Sequence, residues 1–306
     1  MSEGGTLYAT QFEEFTAGNN RWGGSNGWVS DNTKSGSQGI IQDPVKDLPI
    51  GKAGYLGYAS PTSKITKVYR TINHDPVATG FPRIEFDTLL GVQDSTSTKR
   101  DYFYVSFYNI EGYFLAAIIF DNTTGMVLSD DGVTVKDTGV PFIRGDQTLG
   151  VAALQILTVA IDFDRNEWQA SLDGIPLFSQ AFTSIQKPLS LGPLAFEWDI
   201  PSGGAGQAGD NWLLVADLLV ASIPPGPFEP QSFALNASRQ AEIAWPGHSG
   251  FDYQVQYSPD MKSWKNDLPG SLFAANASEK TLSFTDPSEP SPACKFYRVM
   301  RTPTFP

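Results

Sequence analysis

The chain is a succession of short runs of alternating or wholly apolar residues, each bounded by residues that favour turns. No long stretch repeats apolar residues every 3.6 positions, so a mainly helical fold is excluded. Residues 102–108 and 113–120 have the pattern of two strands of one hairpin. Asp173-Gly174, a strong hairpin signal, joins candidate strands over 167–172 and 175–182. A chain of hairpins predicts an all-β protein.

Composition and charge further restrict the fold class of the protein and the kinds of partner that it can bind. Charged residues make up only 18% of the chain, which also has 29 Gly, 22 Pro and 20 Phe, a balance that suits strands and turns. The formal net charge is −12, and residues 228–306 hold 7 Lys+Arg against 8 Asp+Glu, so residues 1–227 carry −11. An acidic surface repels phosphate backbones and anionic lipids, so nucleic acid is a poor candidate partner. Neutral glycans and divalent cations remain compatible.

Proline marks a candidate domain boundary. Residues 223–230 contain four prolines, which stiffen a spacer and cannot join a sheet interior. We therefore predict a domain over 1–222, a Pro-rich linker over 223–230 and a second domain over 231–306. The first has the size of a two-sheet jelly-roll sandwich, and the second that of a small immunoglobulin-like sandwich. In the first domain, residues 193–199 and 212–221 are predicted to pair.

The first domain resembles a known family in its strands and turns. Three segments are similar to those of bacterial laminin-G-like domains: the opening Thr10-Gln11-Phe12-Glu13-Glu14-Phe15, the hairpin 161–174 and the closing Gly209-Asp210-Asn211-Trp212. These belong to the concanavalin A-like lectin/glucanase fold. The resemblance implies a jelly roll that begins with a strand over 10–15, but it includes no catalytic signature.

The second domain resembles fibronectin type III-like modules. The residues that carry this likeness are 253–264 and the final Phe296-Tyr297-Arg298-Val299. Such modules are often appended to secreted bacterial proteins, and the resemblance implies a spacer or adhesion role without chemistry.

The glucanase branch of the first family suggests one enzymatic alternative. Laminarinase-type hydrolases place three acids on one strand as Glu-x-Asp-x-Glu or Glu-x-Asp-x-x-Glu, because strand alternation brings them to one face, where one carboxylate attacks and another donates a proton. Two pairs of acids match this pattern in part: Glu85 with Asp87, and Glu197 with Asp199. Each pair lacks the third acid, so ordinary polar strand positions explain both pairs better.

Binding is the better-supported class, because sugars stack their C–H faces on flat aromatic rings and bond their hydroxyls to Asp, Asn or Gln. Core packing is the alternative for each ring. The candidate ligand-binding residues are Trp22, Trp28, Tyr108, Tyr113, Trp198, Asp210, Asn211 and Trp212.

Calcium is a second expectation, drawn from related jelly-roll binding modules. In those modules a Glu of the first strand and an Asp of the last strand meet at a structural calcium ion. The matching residues here are Glu13 or Glu14 and Asp217. Solvated acids on a terminal strand would explain them equally well.

The sequence thus favours a non-catalytic carbohydrate-binding or surface-interaction protein with a neutral glycan or cell-surface partner. A laminarinase-type glycoside hydrolase acting on a neutral polysaccharide is one alternative, and a structural adhesion or spacer protein that binds another protein is the other. No run reaches the ~18 apolar residues of a membrane helix. The acidic start lacks an apolar leader, and we expect an extracellular, periplasmic or cell-surface protein whose signal peptide has been removed.

Overall fold

The computed structural model describes residues 5–31, 36–44, 50–59, 61, 63–147, 152–201, 205–223, 232–247, 251–274, 281–288 and 295–303. Apart from the four-residue helix α1 (Pro76–Thr79) and one 3-10 turn (Ala205–Gln207), their regular structure is β-strand. The chain divides into two compact units. The larger contains Gly4–Asp75 and Ile84–Ser222, and the smaller contains Pro76–Arg83 and the chain from Ile223 onwards.

Seventeen strands precede residue 224 within the described residues. They are β1 (Thr6–Thr10), β2 (Gly18–Asn19), β3 (Trp28–Ser30), β4 (Gln38–Gln42), β5 (Lys52–Gly57), β6 (Ile65–His74), β7 (Arg83–Gln93), β8 (Tyr102–Tyr108), β9 (Phe114–Asp121), β10 (Met126–Asp130), β11 (Val135–Pro141), β12 (Arg144–Gly145), β13 (Gln155–Asp162), β14 (Glu167–Leu172), β15 (Ile175–Ala181), β16 (Leu191–Asp199) and β17 (Trp212–Ile223).

These strands form two sheets. The first has the order β15-β14-β13-β7-β17-β5-β4-β2, with β1 paired to β17 and β12 to β7; the second has the order β11-β10-β9-β8-β16-β6-β3. The second sheet is antiparallel throughout. In the first sheet β12 runs parallel to β7 over two residues. The all-β expectation is confirmed.

One core lies between the two sheets. It combines alternate residues of both, such as Ile84, Phe86 and Leu90 of β7 with Phe103, Val105 and Phe107 of β8. Because strand side chains alternate between faces, the neighbouring residues of the same strands point away from the core. Each sheet therefore has an outer face, and the two outer faces lie on opposite sides of this unit.

Two expectations about the larger unit are wrong. The first strand ends at Thr10 rather than covering residues 10–15, since Phe12 has a φ of 61° and the Thr10 hydroxyl accepts a bond from its amide. Residues 193–199 and 212–221 are strands, but they lie in β16 and β17 of different sheets. The connection after Asp199 crosses between the sheets instead of closing a hairpin.

The smaller unit contains two three-stranded sheets. One has the order β18 (Ser232–Leu235), β19 (Ala241–Pro246), β22 (Thr281–Thr285), and the other β21 (Leu272–Ala274), β20 (Phe251–Ser258), β23 (Phe296–Pro303). Trp245 of β19, Phe284 of β22 and Tyr253 of β20 share its core. The predicted linker lies outside the described residues except for Ile223.

Candidate functional site

Three of the tryptophans that were expected to stack against a sugar belong to the core. Trp22, Trp28 and Trp198 are at most 1% exposed. Trp22 packs edge-on against Phe12, and the indole of Trp28 donates to the hydroxyl of Tyr8 at 2.9 Å. Rings enclosed on both faces offer nothing for a sugar to stack on. This corrects the expectation, since the sequence shows an aromatic residue but not what covers it.

Asp210 and Asn211 are occupied by internal hydrogen bonds. Asp210 accepts from the hydroxyls of Ser95 and Thr96, which lowers its pKa even though burial alone would raise it. Asn211 is fully buried, and its amide donates to Asp101 at 2.8 Å. These two residues tie the start of β17 to the loop before β8. They hold the backbone that leads into their neighbour Trp212.

Two of the three acids proposed for calcium, Glu13 and Glu14, have other partners, and Asp217 of β17 is exposed. β1 and β17 do pair, with Thr10 opposite Leu218. However, Glu14 accepts from the Thr10 hydroxyl at 2.6 Å, and Glu13 accepts from the Lys52 amide at 3.0 Å. Across the part of the chain that the structure describes, no group of three or more His, Cys, Asp or Glu side chains is placed to hold a metal ion.

The two acid pairs of the hydrolase alternative lie on opposite sides of the sandwich. Glu85 and Asp87 are on the outer face of β7 in the first sheet, where Asp87 accepts from the Thr158 hydroxyl at 2.6 Å. Glu197 and Asp199 are on the outer face of β16 in the second sheet. The two pairs therefore cannot act together on one bond.

Glu197 and Asp199 face a row of tyrosines. In the register of β8 and β16, Glu197 lies opposite Tyr104 and Asp199 opposite Tyr102. Tyr108 follows on the same face of β8. We call the set Tyr102, Tyr104, Tyr108, Glu197 and Asp199 the tyrosine face. All five side chains are partly buried, so each is held in place while part of it meets solvent.

Hydrogen bonds fix the geometry of the tyrosine face. The Tyr108 hydroxyl donates to Oε1 of Glu197 at 2.7 Å and accepts from Nζ of Lys67 at 3.0 Å. Ser106 and Ala195, which lie between Tyr108 and Glu197 on the two strands, are small and fully buried, so the tyrosine side chain can cross over them. Lys64 lies 3.5 Å from Asp199. Both carboxylates are thus held by neighbours, and Oδ1 of Asp199, the atom that faces Lys64, is itself buried.

The phenols of this face stay protonated. Burial raises the pKa of Tyr108, and the charge of Glu197 raises it further. Burial also raises the pKa of Tyr104, helped by the charges of Asp199 and Asp130. The face therefore combines ring surfaces, hydroxyl donors and carboxylate acceptors. Tyr102 and Tyr104 were missed from the sequence, although their alternation with Tyr108 in one strand was a usable signal.

Tyr113 lies apart from this constellation, in the turn between β8 and β9. Its side chain is 46% exposed, and Nζ of Lys187 lies 3.9 Å from its ring centroid. One face of the ring is thus already taken by a cation.

Trp212 lines a second feature, a cavity on the first sheet. The cavity has a volume of about 360 Å³, and its lining residues are Asn19, Ile40, Ile41, Tyr55, Tyr58 and Trp212. We call it the aromatic pocket. Tyr55 of β5 and Trp212 of β17 lie on neighbouring strands, and Tyr58 follows directly after β5. Of the residues proposed for ligand binding, Trp212 is the one that borders this cavity.

Comparison with known proteins yields similarity to solved structures only. No family model and no curated protein match the sequence. A sialidase is similar at 12% identity with a TM-score of 0.46, over 64% of this chain and 17% of that one. The chain thus spans about a sixth of that sialidase.

Two further structures match over nearly their full length. A carbohydrate esterase from the Shiga toxin-encoding bacteriophage phi24B is 12% identical with a TM-score of 0.46, over 71% of this chain and 98% of that one. The CBM2 module of the evolved Dit protein of Lactobacillus casei BL23 phage J-1 is 11% identical with a TM-score of 0.43, over 74% and 98%. At these identities and TM-scores, likeness does not extend to function. No helix among the described residues is long and apolar enough to cross a membrane.

Proposed function

We propose that the protein binds a neutral carbohydrate through the tyrosine face. The observation that carries this proposal is the register of β8 and β16, which brings three tyrosines beside two carboxylates on one open surface. A sugar ring stacks its C–H face on a tyrosine, while its hydroxyls donate to Glu197 and Asp199. Because Lys67 and Tyr108 already hold Glu197 and its neighbour strand in position, little side-chain entropy is lost on binding.

Retention of the full-length chain on neutral polysaccharides in affinity electrophoresis tests this proposal. Tyr104→Ala and Tyr102→Ala are expected to weaken retention by about fivefold or more, since stacking contributes ~1 kcal/mol or more per ring. Tyr104→Phe keeps the ring and is expected to retain most of the affinity. Tyr58→Ala, which removes an exposed tyrosine from the other sheet, serves as the matched control. Absence of retention on every neutral polysaccharide, or equal retention of Tyr104→Ala, would contradict the proposal.

The same experiment separates binding from hydrolysis. A laminarinase-type enzyme would use Glu197 and Asp199 on this face, and it would release reducing sugar from a retained polysaccharide. Release that disappears in Glu197→Gln would favour the hydrolase. Retention without release favours a binding protein, which is the expected result. Retention by a protein partner alone would favour the adhesion alternative.

We also propose the finer architecture and setting of the chain. The larger unit is a concanavalin A-like jelly roll and the smaller one a fibronectin type III-like module, separated near residues 223–230. Two core-sharing sheets in each unit support this assignment. Together with a surface of few charges, it suggests an extracellular or cell-surface protein. Recovery of the protein only from the cytosol of the cell that makes it would contradict that location.

A further inference from the structure

In the aromatic pocket, the rings of Tyr55 and Tyr58 are each set at a steep angle to the ring of Trp212. The ring of Tyr55 makes an angle of 88° with Trp212 at a centroid distance of 6.3 Å, and Tyr58 makes 74° at 6.3 Å. All three rings border the same cavity. We propose that this pocket is a cage that binds a quaternary ammonium group, such as that of choline, through cation–π contacts.

The ring spacing suits a shared cation. Cation–π attraction acts when a cation lies over a ring within about 6 Å of its centroid. A cation over the faces of two perpendicular rings whose centroids are 6.3 Å apart would lie about 4.5 Å from each centroid, inside that range. The separations of the rings that border the cavity are thus those that let one cation lie within cation–π range of more than one ring.

The chemistry of the lining selects the type of cation. The six lining residues that the structure describes include no carboxylate, and their one side-chain oxygen outside the rings, Oδ1 of Asn19, accepts from the Tyr55 hydroxyl at 2.5 Å. An ammonium with N–H groups would lose its hydrogen bonds to water on entry and find few replacements. A quaternary ammonium has no N–H group to satisfy. The charge of −11 on residues 1–227 further favours a cation over an anion.

The fold builds the pocket before any ligand arrives. Tyr55 lies against Gly39, where a Cβ would come within 2.7 Å of its ring, so only glycine leaves room for it. Tyr58 adopts a φ of 71°, in the left-handed region that a bulky residue rarely enters, and its amide donates to the Asn211 carbonyl at 3.0 Å. Strain of this kind persists where the surrounding structure holds a residue for a role such as ligand binding.

Calorimetric titration of the full chain with choline and with 3,3-dimethyl-1-butanol, its uncharged isostere, tests the cage. Choline is expected to bind saturably, and the isostere at least about tenfold more weakly, because only the cation gains the ring electrostatics. Trp212→Ala is expected to abolish choline binding, and Tyr58→Ala to weaken it severalfold. Tyr58 is 59% exposed, so its removal leaves the fold intact if Trp212→Ala does not fold. Tyr104→Ala, on the other sheet, is the control expected to bind choline normally.

Three outcomes would overturn the cage. These are equal binding of the isostere, displacement of choline by neutral monosaccharides, or no choline binding by the folded chain. A flotation assay with phosphatidylcholine vesicles identifies the source of the group: vesicle binding that choline competes away assigns a lipid headgroup, and choline binding without flotation assigns a soluble ligand. Polysaccharide retention, measured on the same variants, fails or succeeds independently of these results.

Discussion

Asp286 shows how one buried carboxylate holds two strands of the smaller unit. It is 2% exposed, and it accepts from the Tyr297 hydroxyl at 2.6 Å, from Nζ of Lys295 at 3.0 Å and from the Ser288 amide at 2.9 Å. Burial alone would raise its pKa, but the bonds from Ser288, Tyr297 and Lys295 lower it to about 2. The ionised form is therefore the one that the folded unit prefers.

Acid is expected to weaken the smaller unit through this residue. A carboxyl whose pKa is lower in the folded than in the unfolded chain adds stability that is present above the unfolded value of 3.8 and is lost as the pH falls towards about 2. Carbon-13 NMR of labelled aspartate is expected to show two carboxyls titrating near 2, those of Asp260 and Asp286, and the Asp286 signal is expected to be missing in Asp286→Asn. The exposed Asp267→Asn variant should leave that signal unchanged. Titration of Asp286 near 3.8 would refute the expectation.

At the scale of elements, β5 depends on the absence of a side chain at Gly54. A Cβ at this position would lie 2.8 Å from the indole of Trp22. That ring cannot move aside, because it also packs against Phe12, Trp28 and Phe196 at centroid distances of 5.3–5.6 Å. The approach of β5 to the core thus requires a glycine.

Gly54→Ala is expected to destabilise the larger unit by about 1–3 kcal/mol, the usual cost of overpacking a core. Chemical denaturation followed by fluorescence measures the change. Gly206→Ala is the matched control, since a Cβ there meets nothing within 4 Å, and its expected effect is within about 0.5 kcal/mol. Equal stability of the two variants would show that the Trp22 cluster can rearrange.

The positions of the strands were easier to predict from the sequence than which strands pair with one another. β8 and β14 lie at the predicted residues, since alternation and turn residues are local signals. The pairing of β16 with β17 was wrong, because pairing depends on where a long connection leads. β5 was not predicted, as its two glycines and small residues interrupt the alternating pattern. Trp264, in the stretch that resembles fibronectin type III-like modules, is half-buried and lies under Arg298.

At the scale of the whole molecule, charge is expected to select among glycans. Residues 1–227 carry a net charge of −11, whereas Lys64 and Lys67 balance the two carboxylates of the tyrosine face locally. A carboxymethylated polysaccharide should therefore bind at least about tenfold more weakly than the same neutral polymer at 10 mM salt, where charges act over ~30 Å. The difference should shrink at 150 mM salt. Equal or tighter binding of the charged polymer would contradict this prediction.

The sequence by itself determined the all-β class, the positions of the clearest hairpins and the acidic character that disfavours nucleic acid, because alternation, turn residues and charge are local or additive properties. Only the tertiary structure decided which aromatic rings are available: Trp22, Trp28 and Trp198 entered the core, whereas Tyr104 reached an outer face and Trp212 a cavity. It also separated the acid pairs of β7 and β16. Exposure and proximity depend on which strands neighbour one another, and that depends on contacts far apart in the chain.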